Sequence, residues 1–388
     1  HDCLKLNTTG AANTGIGFAA LDANTTGNRN IALGTDALGS NTIGDNNIAL
    51  GFKSLYTNTT GNKNIAMGPF ALKSNTIGKY NVALGNGASY FNSTGANNIA
   101  IGYTALYSNT TGSDNIALGY KALRSNTAGN NVAIGKCAGR NSNGSESVLI
   151  GAFAGLANCS RCIVAIGQGA LSSNTTGVHN TAVGTEALAY NTTGSNNIAI
   201  GNQSLQYSYS TSKNVGIGVK TLFVSQGSYN IAIGNQALDA NTTGVKNTAV
   251  GTDALGANTI GTKNVAIGHS AGSSITTGTN LTVIGYNAEP SSATTTNEIT
   301  LGDANVATVR TNGNVVPFTD AAQDLGTTSL RWNNVYTTDL HLSNEGKSGG
   351  NDVDGTKGNW TLQEGQNDLF LINNNTGKKY RFKIEEIE

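Results

Sequence analysis

Histidine, cysteine, serine and paired carboxylates do most of the chemistry in proteins, and this 388-residue chain arranges few of them in a usable way. Its four histidines are His1, His179, His269 and His341. His179 and His269 stand far apart, in variable positions of the repeat described below, so no metal site is expected. The four cysteines are Cys3, Cys137, Cys159 and Cys162. Cys159-Ser-Arg-Cys162 is a CxxC without a second CxxC and without a helix to open, so a structural role is expected, as a local disulfide or as free thiols. The serines form no GxSxG elbow. No GxxxxGK[ST] loop is present to cradle phosphate. GDNN at 44–47 and GSDN at 112–115 are isolated and do not build a GGxGxD calcium roll. Asp352, Asp354, Glu364 and Asp368 read as solvated loop acids rather than as a glycoside-cleaving pair. No catalysis, cofactor or metal is expected.

Bulk composition narrows the partners. Lys+Arg and Asp+Glu balance at 23 each, which gives no electrostatic reason to expect nucleic acid or an anionic membrane. No run of about 18 apolar residues is present, so no membrane-spanning helix is expected. The chain opens His1-Asp2-Cys3, without a basic-then-apolar leader, as expected of a processed chain or of a piece of a longer one. Glycine is abundant at 51 residues while charged residues are only 12%, and that imbalance points to repeated structure.

The repeat is read from the glycine that closes each I-A-L-G-like tetrad. Eighteen such glycines run from Gly17 to Gly302, separated by thirteen steps of 17 residues and four of 16. The consensus is N-[IV]-A-[IL]-G-x-x-A-L-x-x-N-T-T-G-x-x. The tetrad alternates as a strand does, with Ile31 and Leu33 on one side and Ala32 on the other. The tetrad glycine suits a sharp corner or a positive φ, and N-T-T-G reads as a turn with its glycine in the left-handed region. Such turns break any helix every 17 residues. One period is too short for a strand and a helix, and too short to bury a core alone, but stacked periods bury each other.

The expected fold is therefore all-β: a parallel β-solenoid of about 18 coils with 16–17 residues per coil, followed by a small antiparallel β domain. Residues 1–13 are expected as an incomplete coil or connector, 14–302 as the solenoid, 303–344 as a transition and 345–388 as the C-terminal tip. The aliphatic core is expected from the large strand residues, Ile31, Leu33, Ile48, Leu50, Ile65, Met67, Ile99, Ile101, Ile198 and Ile200. The asparagine before each strand (Asn30, Asn47, Asn64, Asn81, Asn98, Asn115) is expected to join a ladder. The small alanine between the aliphatics permits either a tight interior or the close packing of several parallel solenoids about one axis. Neighbouring strands sit about 4.8 Å apart, so eighteen coils give roughly 80–90 Å.

After Gly302 the composition shifts, and both tryptophans, Trp332 and Trp360, appear. Residues 324–336 are expected to end in a strand and 345–358 to be a polar loop. Residues 359–365 and 368–372 read as strands, 373–378 as a turn, and Tyr380, Phe382 and Ile384 as one face of a return strand.

The tetrad [NT]-[IVT]-A-[VIL]-G with its following x-x-A-L resembles the left-handed parallel β-roll of trimeric autotransporter adhesin heads. NTTGxxNxAxGxxAL is similar to repeats in bacteriophage and marine-virus tail fibres. DLGTTSLRWNNVY (324–336) and TLQEGQNDLFLINNNTGKKYRFKIEEI (361–387) resemble text near the C-termini of phage fibres. The likeness covers 14–336 well and the rest loosely. No membrane-anchoring barrel or coiled-coil stalk is expected within these residues, nor a long helical chaperone domain, which such a fibre either loses by self-cleavage or never has. The resemblance implies a homotrimer on a virion surface. Its N-terminal end would meet other virion proteins, and its tip, with Trp332, Tyr336 and Trp360 as candidates, would bind a host-surface receptor such as a glycan. The alternatives are a bacterial surface adhesin head or extracellular fibril and, more distantly, an ice-binding solenoid built on the stacked Thr25/Thr26, Thr59/Thr60 and Thr110/Thr111 pairs.

Overall fold

Repetition of a strand tetrad and a glycine turn produces, in the computed structural model of the chain, a stack of parallel coils. Residues 2–306, 308–318, 324–345, 355–366 and 368–382 are described. The chain divides into two compact units, His1–Val306 and Ala307–Glu388. In the first unit, eighteen three-residue strands from β1 (Thr14–Ile16) and β2 (Ile31–Leu33) to β18 (Ile299–Leu301) form one parallel sheet in sequence order. The register never slips: Ile31 pairs Ile48, Ala32 pairs Ala49, and Leu33 pairs Leu50, one tetrad on the next. The 16-residue coils keep this pairing, as Val132 on Val148 shows.

The interior is not the one expected. Ala32, Ala49, Ala66, Ala83 and Ala100 are fully buried, as are Leu38, Leu55, Leu72 and Leu106 of the second apolar patch. The large strand residues point the other way. Ile31, Leu33, Met67, Ile99, Ile198 and Ile200 are exposed, and Ile48, Leu50, Ile65 and Ile101 are half-buried. The alternation in the tetrad was legible, but its direction is inverted. A coil only 16–17 residues round has room inside for a methyl group from the strand and one leucine from the opposite corner, and not for three large side chains.

The leucine gets there by an unusual backbone. Leu38, Leu55 and Leu72 have φ of 51°, 48° and 48°, in the left-handed region. A non-glycine residue there costs about 1 kcal/mol, and burial of the side chain offsets it. The tetrad glycine also has a positive φ, for instance 131° at Gly51, and a Cβ there would stand 2.7 Å from the carbonyl carbon of Gly68 in the next coil. The turn glycine differs from expectation. Gly44 and Gly61 do not adopt a positive φ; a Cβ on Gly44 would stand 2.4 Å from Asn41 Oδ1 and 2.6 Å from the Gly61 carbonyl oxygen. Close approach, not a left-handed backbone, fixes glycine at that place.

Two asparagine columns run along the stack. Asn64 Nδ2 donates to Asn47 Oδ1 at 3.2 Å and to the Gly78 carbonyl at 2.8 Å, while the Asn81 backbone N–H donates to Asn64 Oδ1 at 3.0 Å. Asn47, Asn81, Asn98 and Asn115 make the equivalent side-chain bond to the asparagine one coil back, and Asn30 accepts the first of them. The turn asparagines form a second column: Asn58 Nδ2 donates to Asn41 Oδ1 at 2.8 Å and to the Gly61 carbonyl of its own turn at 3.0 Å. Both columns are buried, so each amide replaces water for the next.

Within the second unit, β19 (Asp339–Ser343), β20 (Asn359–Glu364), β21 (Leu369–Asn373) and β22 (Lys379–Arg381) form an antiparallel sheet in that order. The sheet starts at Asp339, inside the stretch expected as transition, because Leu342 pairs Trp360. Residues 324–336 carry no strand. Residues 346–354, with Asp352 and Asp354, and 383–388, with Ile384, lie outside the described residues.

Candidate functional site

Among the described residues, those with chemical potential do not converge. Among the described residues no group of three or more His, Cys, Asp and Glu could hold a metal ion. His269 stacks on Tyr286 at 5.4 Å. His341 Nδ1 lies 2.7 Å from Thr361 Oγ1 inside the antiparallel sheet. The four thiols are free. Cys162 Sγ donates to Glu146 Oε2 at 3.3 Å, and that hydrogen bond leads the effects that raise its pKa above the ordinary thiol value. A nucleophilic cysteine needs the opposite shift.

The feature that recurs in every coil is the outward strand face. Positions one and three of each tetrad form two columns of Ile, Leu, Val, Met and Thr from Thr14 to Leu301. Ile31 is 42% exposed and Leu33 47%. Soluble proteins seldom leave so long a contiguous aliphatic strip in water.

The antiparallel sheet carries a second surface. Trp360 packs on Tyr380 with ring centroids 5.8 Å apart. This tryptophan borders a hollow of about 610 Å³, lined also by His341, Ser343, Asn344, Lys357 and Asn373. It also borders an apolar groove of about 250 Å³ with Leu371, Tyr380 and Phe382. Trp332 and Tyr336 are not gathered there. Trp332 borders a separate shallow hollow of about 530 Å³ with Gly326, Leu330 and Arg331. Tyr336 is almost fully exposed.

Of the two threonine columns that an ice-binding face would use, the first is engaged at Thr25, Thr42 and Thr59. Thr25 Oγ1 donates to the Thr42 carbonyl at 3.0 Å, Thr42 to Thr59 at 3.1 Å, and Thr59 to Thr76 at 3.1 Å.

Sequence reasoning missed the outward direction of the strand aliphatics and the second asparagine column. The second column had a signal, since an asparagine precedes nearly every turn in register with the last. Compared with known proteins, the chain matches no family model, no curated protein and no solved structure.

Proposed function

We propose that this chain is a structural and adhesive fibre protein: a homotrimeric virion tail fibre in which the solenoid sets reach and the C-terminal sheet contacts a host-surface glycan. The observation that carries this reading is the outward aliphatic face. It repeats in all coils, so covering it calls for a partner that repeats with the same period, and another copy of the chain has that period by construction. Parallel copies about a common axis bring like residue to like residue in register and bury both columns together. The number three comes from the resemblance to adhesin heads and tail fibres. No step of the reading involves catalysis.

A bacterial surface adhesin head uses the same face in the same way. Negative-stain imaging of the native particle or cell that bears the chain separates the two. The engaged hydroxyls of Thr25 and Thr59 count against ice binding. Sedimentation and light scattering on the full chain test the core of the proposal: an elongated trimer that survives mild heat and detergent is expected, and a compact monomer overturns it.

A further inference from the structure

The chain is neutral overall, yet its charge is unevenly placed. After each tetrad glycine the chain rounds a corner, and the first, second, fifth and sixth residues of that corner flank the buried Ala-Leu pair. Over residues 52–141 these positions hold six basic residues, Lys53, Lys73, Lys121, Arg124, Lys136 and Arg140, and eight aromatic ones, with no acidic residue. The corners before and after are different: they carry Asp22, Asp36, Glu186, Asp239 and Asp253.

The rings and cations form two groups, one running from Phe52 through Phe70 and Tyr90 to Tyr107 and the other made by Tyr103, Tyr120 and Lys121. Lys53 Nζ lies 5.3 Å from the centre of Phe52 and 5.4 Å from that of Tyr56. Phe52 meets Phe70 edge-on at 5.2 Å. Lys73 lies over both Phe70 and Tyr90 and donates to the Tyr90 hydroxyl at 2.7 Å. Tyr90 packs on Phe91 and Tyr107, and Arg124 lies 5.3 Å over Tyr107. Tyr103 and Tyr120 stack at 5.6 Å with only 12° between their planes. Phe52, Phe91, Tyr103 and Tyr120 are all exposed. Six coils span roughly 24 Å at a strand spacing of about 4.8 Å. Basic side chains mark both ends of that span and rings fill the middle.

We propose that this corner face binds an acidic polysaccharide, with the rings against the C–H faces of the sugars and the Lys and Arg head groups against their carboxylates. Charge complementarity selects an anionic chain: residues 52–141 of this face hold six cations and no acid, and among the described residues only Lys53, at its edge, is ion-paired, with Asp36 one coil earlier at 3.9 Å. The ring geometry leaves no slot for a base sandwiched between two rings. Bases stack at about 3.4 Å, so a base between two rings needs them about 7 Å apart. The rings here lie 4.6 to 6.2 Å apart and already stack on each other or carry a cation. They offer ridges and no slots. The proposal adds to the fibre reading, which puts glycan contact on the C-terminal sheet, a second and separate glycan-binding place, and it stands on the solenoid face alone.

The test uses the full chain and an oligogalacturonate of about ten units, compared by calorimetric titration with its neutral methyl ester and with a single-stranded oligothymidylate. Binding to the galacturonate is expected, weakening with salt, with the methyl ester failing to bind. Removing two rings (Tyr103→Ala with Tyr120→Ala) or two charges (Lys73→Ala with Lys121→Ala) is expected to weaken binding about tenfold each. Lys246→Ala with Lys263→Ala removes two charges elsewhere and is expected to change nothing. No binding to the galacturonate, equal binding to the ester, tighter binding of the oligothymidylate, or equal loss in the charge control overturns the proposal. The ester comparison uses the unaltered chain, so it does not depend on any variant folding. Sedimentation of the same samples reports the oligomeric state separately, so failure here and failure of the trimer are distinguishable.

Discussion

Leu149 stands in the strand position that nearly every other coil gives to a small residue, and its Cδ2 lies 2.5 Å from where a Cβ on Gly155 would be. Gly139, one coil earlier at the same corner position, faces Leu149 Cδ1 in the same way at 2.7 Å. In the neighbouring coils that corner position is leucine, as at Leu123 and Leu171. One leucine has therefore crossed from the corner to the strand, and two glycines make room for it. Leu149→Ala is expected to cost about 2–5 kcal/mol, because nothing else fills the space. Gly155→Leu alone is expected to clash. With Leu149→Ala it should recover much of the loss, since leucine elsewhere at that corner tolerates φ near the 54° of Gly155. A double-mutant cycle by denaturant unfolding checks this, and additive losses sink the idea.

A similar exchange sits at Ser208 and Thr211. In most coils these positions are Asn and Gly, and the asparagine Oδ1 stands where a Cβ on the glycine would be, 2.3 Å away at Gly61. Thr211 has a Cβ, so Ser208 cannot be lengthened alone. The turn column breaks here, and Asn191 Oδ1 has no partner among the described residues. Ser208→Asn is expected to destabilise, and Ser208→Asn with Thr211→Gly to raise stability by about 1 kcal/mol through the restored bonds. Thermal midpoints of the two variants decide it by their opposite signs.

The outward face gives a test that separates folding from assembly. Ile116 and Leu118 project away from the coil interior, and each is exposed in the single chain. Replacing both by lysine removes no core contact. Around a common axis the new charges would face their own copies. Sedimentation is expected to show loss of the oligomer, while circular dichroism of the strands stays close to the parent. An unchanged oligomer would move the interface elsewhere.

Two carboxylates give stability a pH dependence of opposite signs. Burial holds the Asp239 pKa above the ordinary carboxylate value, helped by Asp253 nearby and partly opposed by the Ala240 backbone hydrogen bond. Its protonated form suits the fold, so its contribution is present at low pH and is lost as pH rises through the raised value. Asp239→Asn should stabilise the chain near neutral pH and change little in acid. Glu298 is held below its ordinary value, chiefly by the Ser291 hydroxyl, which donates to Oε2 at 2.6 Å. Its contribution is present above the unfolded value and is lost as pH falls through the lowered one. Ser291→Ala should weaken the last coil near neutral pH and matter less in acid. Hydrogen exchange at Ile299 and Leu301, followed between about pH 3 and pH 7, reads the second effect.

The period, the strand tetrads and the asparagine ahead of most strands were legible because each recurs in register as a column of like residues. The direction of Ile31 and Leu33 was not. A period-two pattern states that two faces differ, not which one is inside, and the usual rule that large aliphatics go inward fails when the interior is one methyl and one leucine wide. The left-handed backbone of Leu38 was also hidden, since leucine gives no local sign of it. Trp360 was legible as part of a strand, but its place beside two hollows depends on Tyr380 and Phe382 across the sheet, and residue spacing does not show that.

Each coil bonds only to the coil before it and the coil after it, and Val132 still meets Val148 across a coil one residue short. Length in such a molecule is a counted quantity. Unequal exchange between two copies of the repeat in the gene would delete or insert whole coils, leaving a sound joint and changing the span in increments of about 4.8 Å. Reach can thus be adjusted in heredity without redesigning a single contact.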